Sequence, residues 1–270
     1  TVVHDLSFFH YPECFSWKTR LWYKIMNPQK QLQQSDHIIA VSAFTQQDLI
    51  STYKLPPEKI SVIYEGVETD FCSNQSDKKR AQVRKKYRLP EHYFLFLATL
   101  EPRKNMERLM KAFQKYRQDN PMSTIKLVMA GVPNPEIFSK YKIKADPNIV
   151  LAGFIEEEDK AALYTMATAF IYPSLFEGFG LPLVEAMKCQ TPIITSNGSS
   201  MPEIVKDAAI LVDPFDINAL AQALSAIQEP ALKAKLQSLM EDRVKLFNWQ
   251  KCAEETHRLI LSLGCNREQK

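Results

Sequence analysis

Short runs of aliphatic, β-branched and aromatic residues recur along the chain, each followed by a stretch whose apolar positions return every three or four residues. Strands are expected at residues 1–4, 37–41, 60–63, 93–99, 125–130, 149–151, 169–172, 192–195 and 210–212. Helices are expected at 16–24, 44–53, 78–87, 106–117, 157–166, 182–189, 202–206 and 217–227, with two more in the tail 231–263 around Asn248-Trp249. Strands alternating with helices in this way build α/β structure around parallel sheets. The rhythm breaks at Glu65-Gly66-Val67-Glu68 and a polar stretch follows, so that residues 65–75 read as a linker. Residues 76–248 then hold six expected strands, enough for a complete doubly wound sheet. Residues 1–64 hold three, too few for such a sheet alone. They read as the latter part of a lobe, and Thr1-Val2-Val3 as the inside of a strand in a longer protein. Residues 249–270 read as a closing helix.

The most informative segment is Phe176-Glu177-Gly178-Phe179-Gly180-Leu181-Pro182-Leu183-Val184-Glu185, directly after the apolar strand 169–172. Pro182 suits a first helical turn, where its missing N–H would have had no partner. The amides of Phe179, Gly180 and Leu181 then face outward as a site for anions and oxygens. Glu177 and Glu185 would flank that opening and accept hydrogen bonds from the hydroxyls of a sugar or ribose. Each residue taken singly has a structural explanation: glycines permit close packing, and an acidic residue in a first turn is favoured by about 0.3–1 kcal/mol. It is the combination that points to a polyol-phosphate site.

After strand 93–99 comes Glu101-Pro102-Arg103-Lys104-Asn105, with Asn105 a good helix cap. Arg103 and Lys104 thus precede a helix start, where cations are disfavoured unless an anion shares the site; side chains bent into solvent are the plainer alternative. In a doubly wound sheet ligands lie beyond the carboxyl ends of the strands, so Arg103, Lys104 and Glu177 can meet at one rim. His4 and Asp5 close the first strand of the other lobe and would face the same cleft, unless His4 is only a structural hydrogen-bonding group.

Other classes recede on composition and motif. Lys+Arg of 34 against Asp+Glu of 31 gives +3, no footprint for nucleic-acid binding. The basic run between Lys78 and Arg88 reads as a solvated face. Five scattered cysteines without a C-x-x-C pair indicate neither a disulfide framework nor a zinc site, and fit a reducing cytoplasm. No apolar run reaches the roughly 20 residues of a membrane-spanning helix. Segment 16–24 mixes Trp17, Leu21 and Trp22 with Lys18, Arg20 and Lys24; packing into the core is the plainer reading, peripheral membrane contact the alternative. Neither G-x-x-x-x-G-K-[ST] nor G-x-G-x-x-G follows a strand, which counts against P-loop NTPases and dehydrogenases.

Taken together, these motifs resemble the retaining glycosyltransferases of the GT-B fold, specifically glycosyltransferase family 4. The resemblance rests on Glu177 and Glu185 with the intervening Gly178, Phe179, Gly180, Leu181 and Pro182, an E-x7-E signature, and on Tyr172-Pro173-Ser174 before it. It extends to Glu101-Pro102-Arg103-Lys104-Asn105, Ala40-Val41-Ser42, Tyr64-Glu65-Gly66-Val67-Glu68, Ser199-Ser200-Met201-Pro202-Glu203 and His4-Asp5-Leu6. It implies two Rossmann-like lobes, the second complete and holding a nucleoside-diphosphate sugar, the first incomplete and holding the acceptor. Carried onto this chain, Glu177 binds hydroxyls of the donor sugar and His4 lies beside the reacting sugar. The amides of Phe179, Gly180 and Leu181 hold sugar and phosphate, Glu185 the ribose and Lys104 the diphosphate, while residues 149–154 run past the base. The helix after Trp249 crosses back onto the first lobe. Two positions depart from the family pattern: Thr99 stands where an arginine is common, so that Arg103 is the candidate replacement, and Glu65-Gly66-Val67-Glu68 stands for the usual N-G-V-D.

The implied reaction moves a hexose to an acceptor hydroxyl of a glycan or lipid-linked acceptor with retention. Lys104, Arg103 and helix-start amides would stabilise the departing diphosphate without metal or cofactor, and the Pro-Arg-Lys-Asn form is similar to mannosyltransferases of surface-polysaccharide assembly. The donor would be a GDP- or UDP-sugar, the enzyme cytoplasmic or peripheral on the inner membrane face. A sugar-nucleotide epimerase, a phosphorylase or a non-catalytic nucleotide-sugar-binding subunit are the other readings of the same site.

Overall fold

The computed structural model describes residues 1–72, 75–132 and 146–265. Two parallel sheets organise the described chain. The first has three strands in the order β1-β2-β3: Val2–Val3, Ile38–Ala40 and Ile60–Val62. The second has six in the order β6-β5-β4-β7-β8-β9, where β4 is Tyr93–Leu97, β5 Lys126–Ala130, β6 Ile149–Gly153, β7 Ala169–Tyr172, β8 Ile193–Ser196 and β9 Ile210–Val212. The chain winds outward from β4 to β6, then restarts at β7 on the other side of β4, so the strand order reverses between β4 and β7. Both are buried along their whole length, which is why their sequences are continuously apolar rather than alternating.

Helices cover these sheets: α1 Ser7–His10, α2 Trp17–Met26, α3 Pro28–Gln34, α4 Ala43–Tyr53, α5 Asp77–Lys86 and α6 Met106–Asp119. Then follow α7 Glu157–Met166, α8 Leu181–Lys188, α9 Met201–Val205, α10 Ile217–Ala226, α11 Pro230–Val244 and α12 Trp249–Cys265. α6 shows how the pattern works, since Met106, Leu109, Ala112, Phe113 and Tyr116 lie on one stripe and all five are buried. Asn27, at φ 46°, terminates α2, and its side chain caps α3, where Pro28 takes the first position.

Three expectations need correction. α2 is not a core helix: it buries none of its residues, and Trp17, Trp22 and Ile25 are 66%, 54% and 73% exposed. Tyr23 ties it to the fold, stacked on Phe8 with ring centroids 4.1 Å apart. The basic run is not wholly solvated, because Lys79 and Lys86 turn inward to the buried carboxylate of Asp159, which also accepts from the Tyr87 hydroxyl at 2.8 Å. Burial alone would raise the Asp159 carboxyl, yet these donors hold it at about 2. The cysteines are not all free thiols either: Cys72, in the linker, is disulfide-bonded to Cys189 at the end of α8, with Cα atoms 5.3 Å apart. Among the described residues no helix is long and apolar enough to cross a membrane.

Candidate active site

The reversal between β4 and β7 leaves a crevice at their carboxyl ends, where open α/β sheets receive ligands. After β4, residues Pro102–Lys104 form a single 3₁₀ turn that leads into α6. Asn105 joins the two in a left-handed conformation at φ 62° and makes no side-chain cap. Its amide instead donates to the carbonyls of Pro173 and Pro214 at 3.1 and 2.7 Å, tying the loop after β4 to the loops after β7 and β9. The Leu175 amide donates to the Arg103 carbonyl at 2.8 Å and closes the same seam.

That seam brings Lys104 and Glu177 together. Lys104 Nζ lies 2.6 Å from Glu177 Oε1 and donates to the Tyr172 hydroxyl at 2.8 Å, while Tyr172 donates to the same carboxylate at 2.9 Å. The Ser174 hydroxyl donates to Glu177 as well, and Arg103 reaches the other oxygen at 3.1 Å. Burial pushes the Glu177 carboxyl up, but Lys104 and Arg103 outweigh it and hold it at about 2. Burial raises the Tyr172 phenol, and the adjacent Glu177 charge adds to that rise, so this hydroxyl is a donor at neutral pH.

A cavity of about 300 Å³ opens over this cluster, lined by Lys104, Glu177 and the loop from Gly178 to Pro182 on one wall and by His4, Asp5 and Glu65 on the other. Gly180 caps α8 at φ 103°, a backbone shape that favours glycine. Among the described residues, the amides of Phe179, Gly180 and Leu181 donate to no backbone or side-chain acceptor. Across the gap, His4 Nδ1 lies 2.9 Å from Glu65, with the imidazole 72% exposed. Burial raises the Glu65 carboxyl against the opposing pull of His4.

Two expected residues stand apart from the cavity. Arg103 is turned behind its wall, donating to Glu101 at 2.7 Å and to the Phe176 carbonyl at 2.6 Å. Burial opposes its charge, but Glu177 and Glu101 raise its pKa nonetheless. The basic doublet therefore splits, with one cation in the cavity and one beneath. Glu185 does not flank the opening. One turn into α8, it accepts from the Tyr164 hydroxyl at 2.8 Å and faces Lys160 at 3.7 Å; burial raises its carboxyl more than Lys160 lowers it. Glu65, Tyr172 and Ser174 were not singled out as site residues from sequence. The available signal was position: Tyr172 ends a strand of the same rim, and Glu65 closely follows a strand of the facing sheet. Residues 149–154 fall on β6 and just beyond it, at the sheet edge, outside the lining of this cavity.

Comparison with known proteins places this geometry in context. A family model described as glycosyl transferases group 1 matches residues 77–254, and one described as glycosyltransferase family 4 matches residues 1–71. O-antigen chain mannosyltransferase B of Escherichia coli is 31% identical over 262 residues, which cover 95% of this chain and 68% of that protein. Sucrose-phosphate synthase (tll1590) from Thermosynechococcus elongatus superposes with a TM-score of 0.79 at 25% identity, over 98% of this chain and 67% of that one. Anabaena Alr3699/HepE, solved in complex with UDP and glucose, superposes with a TM-score of 0.73 at 19% identity, over 97% of this chain and 70% of that one. The chain thus spans about two thirds of the length of each.

Proposed function

The chain belongs to the group 1 glycosyltransferases with the GT-B fold, and we propose that it transfers a hexose, with mannose as the first candidate, from a nucleoside-diphosphate sugar to a glycan or lipid-linked hydroxyl with retention. The observation that carries this reading is the buried Lys104–Glu177 pair beneath open loop amides at the strand-order reversal. The mannosyl preference draws on the name of the relative from Escherichia coli.

Lys104 is the group that would meet the diphosphate, and the amides of Phe179, Gly180 and Leu181 would share its negative charge. As the glycosidic bond loosens, these fixed donors stabilise the charge growing on the leaving phosphate, in a setting where they need no reorganisation. Glu177 would turn its acceptor oxygens to sugar hydroxyls, fixed from behind by Arg103, Tyr172 and Ser174. Glu185, one turn further along α8 and outside the cavity lining, is the candidate for the ribose where the nucleotide extends past the cavity, and His4, held by Glu65, would approach the reacting sugar from the other lobe. The leaving phosphate oxygen can take the acceptor proton, so that the acceptor oxygen attacks from the face the diphosphate leaves.

The acceptor lobe is assigned to residues 1–64, the linker to 65–75, the donor lobe to 76–248 and the returning helix to 249–270. The isolated pairing of Val67 with Asn248 supports this division, since it sets the outgoing and returning crossings side by side. Work on the cytoplasmic membrane face, where a lipid-linked acceptor would sit, accords with the exposed Trp17, Trp22 and Ile25 of α2 and its flanking Lys18, Arg20 and Lys24. The test is to incubate GDP- and UDP-sugars with the protein and measure nucleoside diphosphate release with and without a glycan acceptor. Acceptor-dependent release that disappears in Lys104→Ala supports transfer. Binding without release, or release indifferent to Lys104→Ala, overturns it.

A further inference from the structure

A second group of contacts joins the lobes beside the cavity, behind the loop that begins at Gly178. Its centre is Glu203, on α9 of the donor lobe, whose two carboxylate oxygens accept from the amides of Ala43 at 2.8 Å and Phe44 at 2.9 Å. Those are the first two amides of α4 in the other lobe, and the start of a helix leaves such donors without intrahelical partners. The helix's own cap, Ser42, already serves the Thr45 amide at 3.0 Å. The first-turn amides are thus shared between a local cap and a carboxylate about 160 residues away in sequence. The Tyr64 hydroxyl, next to Glu65, also donates to Glu203 at 2.8 Å.

The same helix start meets the donor loop. Both the Ser42 and the Thr45 hydroxyls donate to the carbonyl of Gly178, the latter at 3.0 Å. On the far side, Arg243 donates to the carbonyls of Glu203 and Ile204 and lies 5.1 Å above the Phe247 ring. Phe247 packs in turn against Tyr64 and Phe179, with centroids 5.5 and 5.6 Å apart. The start of α4 is therefore gripped from both sides by the donor lobe, and the grip adjoins the place where the chain crosses between lobes. The Glu203 carboxylate contacts are polar additions to the apolar core that holds Phe179 and Phe247, in which Met201, Ile204 and Val205 seat α9.

We propose that Glu203 is a positioning residue for sugar transfer: by capping α4 across the lobe boundary it holds the lobes in the register that sets His4 and Glu65 opposite Lys104 and Glu177. The charge sense favours this, since a carboxylate at a helix start meets the positive end of the dipole. The inference rests on the transfer reading above. It assigns Glu203 no contact with substrate.

The experiment compares wild type, Glu203→Gln, Glu203→Ala and Tyr64→Phe in three readouts: affinity for GDP or UDP, turnover with acceptor, and radius of gyration by solution scattering. The expected result is unchanged nucleotide affinity in all four proteins, because the donor wall stays intact. Turnover should fall by about 10²-fold in Glu203→Ala, the scale of loss for misplacing reacting groups by an ångström or so. Glu203→Gln should fall between, since its one carbonyl oxygen still accepts one amide, and Glu203→Ala should show an enlarged radius. Turnover unchanged in Glu203→Ala, or nucleotide affinity lost in step with turnover, overturns the proposal. Should wild type itself transfer no sugar, the transfer reading fails, while the scattering comparison still decides whether Glu203 holds the lobes together.

Discussion

Replacing Glu177 by glutamine keeps the shape of the side chain and deletes its charge. Lys104, Tyr172 and Ser174 all donate to Oε1 and Arg103 to Oε2, so a carboxamide must point N–H groups at existing donors. Arg103 keeps Glu101 at 2.7 Å, but Lys104 has no other carboxylate partner among the described residues. Removing one member of a buried pair costs about 3–5 kcal/mol, and the oxygen that remains sets the expectation at the lower end, about 3 kcal/mol. Proton linkage gives the same size. The folded carboxyl at about 2, against an ordinary 4.5, binds fewer protons than the unfolded one, so its stabilisation is complete above pH 4.5 and lost as pH falls toward 2. At about 1.4 kcal/mol per tenfold in proton affinity, that fall again corresponds to about 3 kcal/mol. In a chain of this size each kcal/mol moves Tm by about 2–4 °C. Thermal unfolding followed by circular dichroism should place Glu177→Gln about 6–12 °C below wild type at pH 7, with the gap narrowing steadily below pH 4.5. Equal stability at pH 7, or a gap unchanged by acid, would refute the buried ion cluster.

Gly178→Ala would put a Cβ 1.7 Å from the His4 carbonyl oxygen, whereas Gly198→Ala meets nothing within 4 Å. Denaturant titration should show the first destabilised by about 1–3 kcal/mol and impaired in transfer, with the second unaffected. Non-reducing peptide mapping should recover Cys72 linked to Cys189, and reduction should lower stability by about 4–5 kcal/mol on chain-entropy grounds, because the loop closed is long. The Glu65 carboxyl titrates above 4.5 because it is buried, so wild-type turnover should lose its ionised form as pH drops through that higher value. Glu65→Gln should abolish this acid limb in a pH–rate profile; an identical profile would remove Glu65 from the site.

Much of the fold was legible because the long elements carry their period openly. Each of the nine expected strands overlaps an observed one, and α6 and α7 start where the pattern starts them. α1 and α3 escaped notice for a physical reason: four residues of Ser7–His10 cannot display a helical period, and Pro28–Gln34 offers one buried side chain, Leu32, to reveal a face. Strand neighbours are not written in local pattern. Lys104 and Glu177 could be expected at one rim, but their contact depends on β4 lying beside β7. The inward turn of Arg103 depends on Glu101 and the Phe176 carbonyl, and the His4–Glu65 pair on the approach of segments about 60 residues apart. Cys72 and Cys189 meet only because the linker returns to the end of α8.

The central claim is that the cavity over Lys104 and Glu177 receives a nucleoside diphosphate. Calorimetric titration of GDP and UDP into the protein and into Lys104→Ala tests it without requiring an acceptor. One nucleotide should bind wild type at a single site, and the variant should bind about 10²-fold more weakly, the scale of losing one charge-stabilising donor. Equal affinity in both proteins would place the nucleotide elsewhere and contradict the account.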